Sequence, residues 1–249
     1  MKLPMNPSIQ VCDDFESLSR QAVEFILIAA AEKKDLLLCA AGGSTPLRTY
    51  ELLAQQQAHT PHTFQSLRLI KLDEWGGLAM DDPCTCEQQL RSYLVNPLGI
   101  SDDRYLGLNS SAANPEAECE RIRTRLLTEG PIDLSVLGLG FNGHIAMNEP
   151  AETLKATAHV AQLTAATLAH PMLATCSSKP SFGLTLGMGE ILASRKIILL
   201  VSGEGKRETL KRLLRREIST QFPASFLWLH PDWILLCDRD AAGGLNFET

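Results

Sequence analysis

The stretch Leu36-Leu37-Leu38-Cys39-Ala40-Ala41-Gly42-Gly43-Ser44-Thr45-Pro46 decides the fold class of this chain of 249 residues. Its first five residues are apolar and have no polar face, which is typical of a strand covered on both sides. A tight glycine-rich loop follows, and Pro46 suits the first turn of a helix, where a missing amide hydrogen costs nothing. A buried strand, a tight loop and a helix in this order form one unit of a parallel sheet.

The same alternation of strands and helices continues on both sides of this stretch. We expect further strands at residues 67–72, 132–137, 196–201 and 233–237, and helices at residues 13–34, 47–57, 85–95, 114–127, 186–193 and 206–216. Strands separated by helices predict an α/β fold, with a doubly wound, mostly parallel, Rossmann-like sheet and helices on both faces. We expect a single domain, residues 1–249, with a flap at about residues 151–180, where the periodicity is weak.

Composition and charge exclude several classes of partner. The chain has 23 Lys and Arg against 29 Asp and Glu, a net charge of -6. Nucleic acid is therefore not expected as a partner, because binding its phosphates needs clustered cations. The longest apolar run, around residues 25–31, is too short to span a bilayer, and residues 1–10 lack the apolar core of a signal peptide. We expect no membrane partner and a cytoplasmic location.

The seven cysteines are an odd number spread along a long chain. This distribution favours reduced thiols over a disulfide framework. Cys84-Thr85-Cys86 contains the only close pair, and no further ligands stand nearby at the spacing of a zinc site. We therefore expect two small buried side chains there and no metal.

Glycine-rich loops follow two of the expected strands, at the edge where parallel sheets bind ligands. In the first loop, Gly42 and Gly43 allow a close approach of the backbone, and Ser44 and Thr45 add hydroxyl groups beside a helix N-terminus. This is the outline of a phosphate cradle, although the same sequence is also a common strand-to-helix turn. The second loop is Ser202-Gly203-Glu204-Gly205. Lys206 follows it at the start of the next expected helix and is either a second contact to an anion or an ordinary solvated lysine.

Two further clusters carry candidate acid and base groups. Asp73 and Glu74 end the expected strand at 67–72, and since adjacent residues of a strand face opposite ways, at most one of them can face a given ligand. A carboxylate at this edge can act as a general base or merely cap a turn. In the run Gly138 to Pro150, glycines clear space around His144, which Asn142 and Glu149 flank. A carboxylate can orient an imidazole, so His144 is a catalytic candidate, against the commoner structural histidine.

These motifs resemble the glucosamine-6-phosphate deaminase (isomerase) family over most of the chain. The resemblance rests on Leu72-Asp73-Glu74-Trp75, on the run 138–150, on Gly-Gly-Ser-Thr-Pro at 42–46 and on Gly-Glu-Gly-Lys at 203–206. More narrowly, Thr85-Cys86-Glu87 and residues 203–206 and 224–230 resemble the galactosamine-6-phosphate isomerase or deaminase branch. The resemblance implies a fold of the sugar-phosphate isomerase type.

The resemblance also implies a reaction and a role for each candidate residue. Asp73 would move a proton between C2 and C1 of the opened sugar, His144 would open the pyranose ring, and Glu149 would support the histidine. Gly43, Ser44, Thr45 and Lys206 would hold phosphate. The implied substrate is a small-molecule amino-sugar phosphate, and galactosamine 6-phosphate would give tagatose 6-phosphate and ammonia. No cofactor is implied, because proton transfers suffice.

Two positions depart from the family pattern. Asn142 stands where the main pattern has Asp; it can accept a hydrogen bond from the imidazole but brings no charge, so we expect a less basic His144. The arginine with which the family helps to hold phosphate has no match near Leu173, where the chain reads Ala169-His170-Pro171-Met172. We expect the loop and Lys206 to bind phosphate in its place.

Three alternative functions stay open on sequence grounds. A glucosamine-6-phosphate deaminase stays open because its substrate shares the phosphate and the C1–C2 unit, so Asp73, His144 and Lys206 do not discriminate against it. A 6-phosphogluconolactonase typically has Asp-Glu-Arg after the strand and Gly-His-Thr-Ala-Ser after the glycines, whereas this chain has Trp75 and Ile145-Ala146-Met147-Asn148-Glu149. A non-catalytic sugar-phosphate sensor could lose its proton-transfer groups, yet Asp73, His144 and Glu149 are all present.

Overall fold

The computed structural model describes residues 7–60, 62–169 and 171–245. The strands in this part of the chain are β1 (Ser8–Cys12), β2 (Leu37–Ala40), β3 (Arg68–Lys71), β4 (Asp73–Gly76), β5 (Tyr105–Leu106), β6 (Leu134–Gly138), β7 (His159–Ala161), β8 (Phe182–Thr185), β9 (Lys196–Val201) and β10 (Trp233–Asp238). The α-helices are α1 (Phe15–Glu32), α2 (Ser44–His59), α3 (Cys86–Leu90), α4 (Pro115–Glu129), α5 (Ala165–Leu168), α6 (Met188–Leu192), α7 (Arg207–Leu213) and α8 (Arg239–Ala242). A π-helical turn, Arg91–Val95, continues α3, and short 3-10 turns include Pro171–Thr175 and Glu204–Lys206.

Seven strands form a central sheet in the order β1-β10-β9-β6-β2-β3-β5, and every pair in it is parallel. The chain moves outward to β3 and β5 on one side of β2, and then returns to β6, β9 and β10 on the other side. The strand order therefore reverses between β2 and β6, which is where doubly wound sheets bind their ligands. The predicted α/β fold is confirmed.

Strand β2 explains why its sequence reads as a continuous apolar run. Leu37 and Cys39 belong to the hydrophobic cluster on one face of the sheet, while Leu38 and Ala40 belong to the cluster on the other. Both faces are covered by helices, which favours an apolar side chain at every position of this strand. Burial on both faces is the physical basis of the sequence signal that predicted this strand.

A second, smaller sheet was not predicted. It consists of the antiparallel strands β4, β8 and β7. Leu72 still donates its N–H to Ala40 of the parallel sheet (3.1 Å), but its carbonyl accepts from Leu186 (3.0 Å). Asp73 therefore begins β4, and the expectation that Asp73 and Glu74 end the strand at 67–72 is wrong. The chain changes partner strand at Leu72, and only distant residues determine this change.

The expectation of reduced thiols throughout is also corrected, because Cys84 and Cys176 form a disulfide. The two residues are separated by 92 positions in sequence, so no local pattern links them. The neighbouring Ser177 donates its N–H (3.2 Å) and its hydroxyl to Asp82. These contacts join the segment around Cys176 to the loop after β4. Cys86 is a buried free thiol.

Each of the predicted helices is present within the described residues, with differences at their ends. Asp14 caps α1, Thr85 caps α3 and Asn114 caps α4, each by accepting an N–H three residues on. The helix predicted at 206–216 is shorter than expected, because α7 ends at Leu213. No helix of the described residues is long and apolar enough to cross a membrane. Residues 1–6, 61, 170 and 246–249 lie outside the described part, and the predicted domain extent and flap stay predictions.

Candidate active site

The candidate residues lie on loops that leave the carboxyl ends of neighbouring strands. The cradle at Gly42–Thr45 follows β2, Asp73 comes just after β3, the His144 loop follows β6, and Lys206 follows β9. Because β3, β2, β6 and β9 are consecutive neighbours in a parallel sheet, these loops leave the same edge around the switch point. The fold therefore places all the sequence-predicted candidates at one edge.

The cradle depends on two glycines. Gly43 has φ +95° and is the N-cap of α2, a backbone conformation that a side chain would strain. A Cβ on Gly42 would lie 2.8 Å from Sγ of Cys86, so only glycine lets α3 approach the loop this closely. The N–H of Gly43 donates to Oε1 of Gln89, on α3, over 2.7 Å. Sequence reasoning missed Gln89, since nothing local to it marks a site.

The carboxyl group of Asp73 has a raised pKa. It is the first residue of β4, and its side chain keeps only partial access to solvent. Burial and the negative charge of Glu74 raise the pKa of the Asp73 carboxyl to about 7, although the nearby His144 and Lys71 act in the opposite direction. Within the described ranges, no hydrogen bond to this carboxylate is present. A carboxyl with such a pKa can both accept and return a proton.

Glu74 faces the opposite way, as the strand period predicts. It is fully buried and accepts hydrogen bonds from Nζ of Lys71 (2.6 Å) and from the backbone N–H groups of Trp75 (2.7 Å), Cys86 (2.9 Å) and Glu87 (2.8 Å). Lys71, which is buried too, bridges Glu74 to Glu87 with a second 2.6 Å contact. Glu74 thus anchors the start of α3 and does not face the edge of the sheet where the candidate residues lie.

The loop from Gly140 to Glu149 holds His144 against a carboxylate. A Cβ on Gly140 would lie 2.2 Å from the imidazole, so the ring occupies the space that this glycine leaves. Nδ1 of His144 lies 3.5 Å from Oε1 of Glu149, and Nδ2 of Asn142 donates to Oε2 of the same carboxylate over 2.6 Å. The His144 side chain is 27% exposed, which leaves the ring accessible to a ligand. The geometry joins the three predicted residues into one unit.

The role expected of Asn142 needs correction. Its Oδ1 accepts from the backbone N–H of His144 over 3.1 Å, and not from the imidazole. The amide oxygen is committed to the turn, so Asn142 acts on the ring only through Glu149. The side chain that faces the imidazole is the carboxylate, which makes Glu149 the group that orients it.

Glu149 has a further partner that the sequence did not reveal. The hydroxyl of Thr167, on α5, donates to Oε1 of Glu149. Burial raises the pKa of the Glu149 carboxyl, but the neighbouring His144 and the hydrogen bonds from Thr167 and Asn142 outweigh burial and hold the pKa below its usual value. The carboxylate is therefore ionised at neutral pH. Thr167 lies in the predicted flap, so this segment contacts the candidate site.

Lys206 lies at the end of a 3-10 turn just before α7, close to its predicted place. Its Nζ is 3.5 Å from the centroid of the Phe141 ring, which belongs to the His144 loop. Burial lowers the pKa of Lys206 to about 8, and no ion pair to this amine is present within the described ranges. A desolvated cation without a protein carboxylate is suited to bind an anion.

One cluster has the residue types of a metal site but not the chemistry. Ligand atoms of Asp82, Cys84 and Cys176 lie within 4.8 Å of one another. The two sulfur atoms are bonded to each other, and Asp82 accepts from Ser177. A disulfide supplies no thiolate ligand, so this cluster supports no metal centre.

A comparison of the sequence with known families and proteins gives a consistent result. The family model described as glucosamine-6-phosphate isomerases/6-phosphogluconolactonase matches residues 13–234. The Escherichia coli K12 protein named "Putative deaminase AgaI" is 41% identical over 229 residues, covering 92% of this chain and 91% of that protein. Glucosamine-6-phosphate deaminase 1 of Bacillus subtilis 168 is 35% identical over 236 residues, covering 94% and 98%.

Solved structures extend the comparison to three dimensions. A monomeric glucosamine-6-phosphate deaminase matches with a TM-score of 0.90 at 35% identity, covering 95% of this chain and 99% of that one. A 6-phosphogluconolactonase of Trypanosoma brucei matches with a TM-score of 0.78 at 23% identity, covering 97% and 99%. This second likeness concerns the fold alone.

Proposed function

We propose that this chain, which belongs to the glucosamine-6-phosphate isomerase/6-phosphogluconolactonase family, converts galactosamine 6-phosphate and water into tagatose 6-phosphate and ammonia. It is an enzyme of the amino-sugar-phosphate deaminase and isomerase class. The choice of substrate within that class and the roles of individual residues form the proposal.

The observation that carries the proposed chemistry is the environment of Asp73. Burial beside the charge of Glu74 raises its pKa to about 7, and the carboxyl lies close enough to His144 for their charges to interact. A base with this pKa can remove a proton from C2 of the opened sugar and return it to C1 at neutral pH. An aldose-to-ketose isomerisation requires this transfer.

The pair of His144 and Glu149 fits the preceding step, the opening of the pyranose ring. A protonated imidazole donates its proton to the ring oxygen as the bond between C1 and that oxygen breaks, and the proton of the C1 hydroxyl passes to solvent water. Glu149 faces Nδ1 at 3.5 Å and stays ionised, so it stabilises the positive charge on the ring. Asn142 and Thr167 hold Glu149 in place from two sides.

Ammonia release follows from the proton transfer. Removal of the C2 proton from the open-chain amino aldehyde, with a proton taken up by the C1 oxygen, gives an enolamine, and protonation at C1 then gives an imine at C2. Water adds to this imine carbon, the C–N bond breaks, and the ketose forms with ammonia as the other product. The sequence of steps balances with one water consumed, and it requires only groups that move protons.

The phosphate of the substrate is assigned to the cradle and to Lys206. The α2 N-terminus presents backbone N–H groups and a positive dipole end, with the Ser44 and Thr45 hydroxyls beside them. Lys206 adds the cation from the neighbouring loop, and Gly42 and Gly43 give the phosphate close access to the backbone. This arrangement binds phosphate at one end of the sugar and leaves C1 and C2 for Asp73.

The preference for the galactosamine epimer rests on the sequence resemblance at residues 85–87 and 224–230. The two candidate substrates differ only in the orientation of the C4 hydroxyl, so Asp73, His144 and Lys206 serve both equally. Discrimination requires a buried partner that one orientation leaves without a hydrogen bond, a mismatch worth several kcal/mol.

The test is an assay of ammonia release from purified galactosamine 6-phosphate and glucosamine 6-phosphate, with 6-phosphogluconolactone hydrolysis measured beside it. We expect ammonia from both amino sugars, a higher kcat/KM for galactosamine 6-phosphate and no lactone hydrolysis. A higher kcat/KM for glucosamine 6-phosphate would overturn the epimer assignment alone. Lactone hydrolysis without ammonia release would overturn the proposed reaction.

A further inference from the structure

We propose that Gln89 is a substrate-binding residue, whose carboxamide NH2 group donates to the phosphate of the substrate at the Gly42–Thr45 cradle. The inference rests on the proposed function for the identity of the ligand, a sugar phosphate monoester. It adds a neutral donor from α3 to a site that otherwise consists of the α2 N-terminus and Lys206.

The contact between Gln89 and Gly43 fixes the orientation of the carboxamide. The backbone N–H of Gly43 can only donate, so the atom that faces it at 2.7 Å must be the oxygen of the amide. The NH2 group is then the opposite end of the planar carboxamide. In the part of the chain that the structure describes, Nε2 of Gln89 donates to no protein acceptor, and the side chain is half-buried. An oriented donor without a protein partner stands next to the cradle.

The cradle needs such a donor, because its own supply of N–H groups is small. The Gly43 N–H is already committed to Gln89. Pro46 has no N–H, so the backbone N–H groups that remain in the first turn of α2 are those of Ser44 and Thr45, beside the hydroxyls of the same two residues. A phosphate dianion has three terminal oxygens that accept several hydrogen bonds. Gln89 takes up one backbone donor of the cradle and offers the N–H groups of its side chain in exchange.

Gln89 is also held more firmly than an ordinary surface glutamine. The first turn of α3 is anchored by Glu74, which accepts the N–H groups of Cys86 and Glu87. Glu74 is itself fixed by the buried Lys71. The glutamine therefore sits on a short helix attached to the strand that carries Asp73, and its donor is positioned before the substrate arrives.

Two substitutions separate binding from simple loop support. Gln89→Glu keeps an acceptor for the Gly43 N–H while it removes the NH2 donor and adds a negative charge. Gln89→Ala removes both contacts. Gln88→Ala is the matched control, because Gln88 points its amide to the carbonyl of Met80 (3.2 Å). We expect KM to rise about tenfold in Gln89→Ala, more in Gln89→Glu, and not in Gln88→Ala, with kcat within about threefold throughout.

A second measurement uses inorganic phosphate as the probe and needs no turnover. Phosphate should raise the melting temperature of the wild type, and in Gln89→Glu its midpoint concentration should rise about tenfold or more. This titration separates the inference from the proposed function. If neither amino sugar releases ammonia but the phosphate response depends on Gln89, the reaction assignment fails and the binding role stands.

Several results would overturn the role of Gln89. Unchanged KM and an unchanged phosphate midpoint in Gln89→Glu would remove this residue from the site. Tighter phosphate binding in Gln89→Ala would show that Gln89 competes with the anion instead of binding it. If kcat and the melting temperature both fall while KM stays unchanged, Gln89 supports the loop and does not bind the substrate. If Gln89→Glu does not fold, Gln89→Ala decides by the same criteria.

Discussion

The two faces of strand β4 carry adjacent carboxylates in opposite surroundings. Glu74 is fully buried but accepts four hydrogen bonds, one of them from a lysine that is buried with it. Asp73, one residue away, has no such partner within the described ranges, and its pKa rises to about 7. A charge with a full set of partners supports the fold, whereas a charge without them becomes available for proton transfer.

The largest effect should come from removing the Asp73 carboxylate, on the face of β4 assigned to proton transfer. Asp73→Asn deletes the proton acceptor while keeping the shape of the side chain. We expect kcat to fall about 10²–10⁴-fold with KM nearly unchanged, measured by ammonia release. Near wild-type turnover would show that Asp73 is not the base.

The same variant should also show that Asp73 is unfavourable for stability. Its pKa is raised in the folded state, so its contribution to stability is fully present below about pH 4 and is lost as the pH rises through about 7. Asparagine has no such dependence. The melting temperature of Asp73→Asn relative to wild type should therefore increase between pH 5 and pH 8, and a constant difference would contradict the raised pKa.

Replacing Glu74, on the opposite face of β4, should affect stability instead of turnover. Glu74→Gln removes a partner of the buried Lys71 and weakens the anchor of α3. We expect a loss of about 3–5 kcal/mol in the free energy of unfolding, measured by urea denaturation. Glu208→Gln, at an exposed position, is the control and should change little. A stable Glu74→Gln protein would mean that the network contributes specificity without stability.

A smaller effect is expected at the phosphate end. Lys206→Ala should raise KM about tenfold with a smaller fall in kcat, because the phosphate lies away from the reacting carbons. Since burial lowers the pKa of Lys206 to about 8, KM of the wild type should also rise as the pH passes 8 and the amine loses its charge. Lys211→Ala, one turn further on, is the control. An unchanged KM in Lys206→Ala would exclude this lysine from the site.

The smallest effect should come from Thr167, which lies in the segment predicted to be a flap. Thr167→Val removes a hydrogen bond to Glu149 but keeps the side-chain volume. We expect kcat to fall by a few-fold, roughly the value of one hydrogen bond, without a change in KM. Raised KM with normal kcat would show that Thr167 contacts the substrate directly instead of supporting Glu149.

The sequence predicted those features that local patterns determine. The apolar run at 36–40 revealed a doubly covered strand, and the loops after the strands revealed Asp73, His144 and the cradle. These residues are found at one edge because parallel strands carry their loops there. Asn142 and Glu149 could be predicted because they lie within a few residues of His144 in the same loop.

The features that the sequence did not reveal depend on contacts between distant segments. Gln89 lies 46 residues from Gly43, and Thr167 lies 18 residues from Glu149. Nothing in the neighbourhood of either residue distinguishes it from a surface side chain. The second sheet and the Cys84–Cys176 disulfide are of the same kind, because the pairing of β4 with β8 and of the two cysteines is settled only when the chain has folded.

The most direct test of the contrast between the two carboxylates is a pH titration of Asp73 in the free enzyme. Carbon-13 NMR of labelled aspartate carboxyl groups, with Asp73→Asn used to assign the signal, reports its ionisation without interference from the phosphate or amine of a substrate. We predict a titration near pH 7. A midpoint near the ordinary value of about 4 would contradict the claim that this face of β4 is prepared for proton transfer.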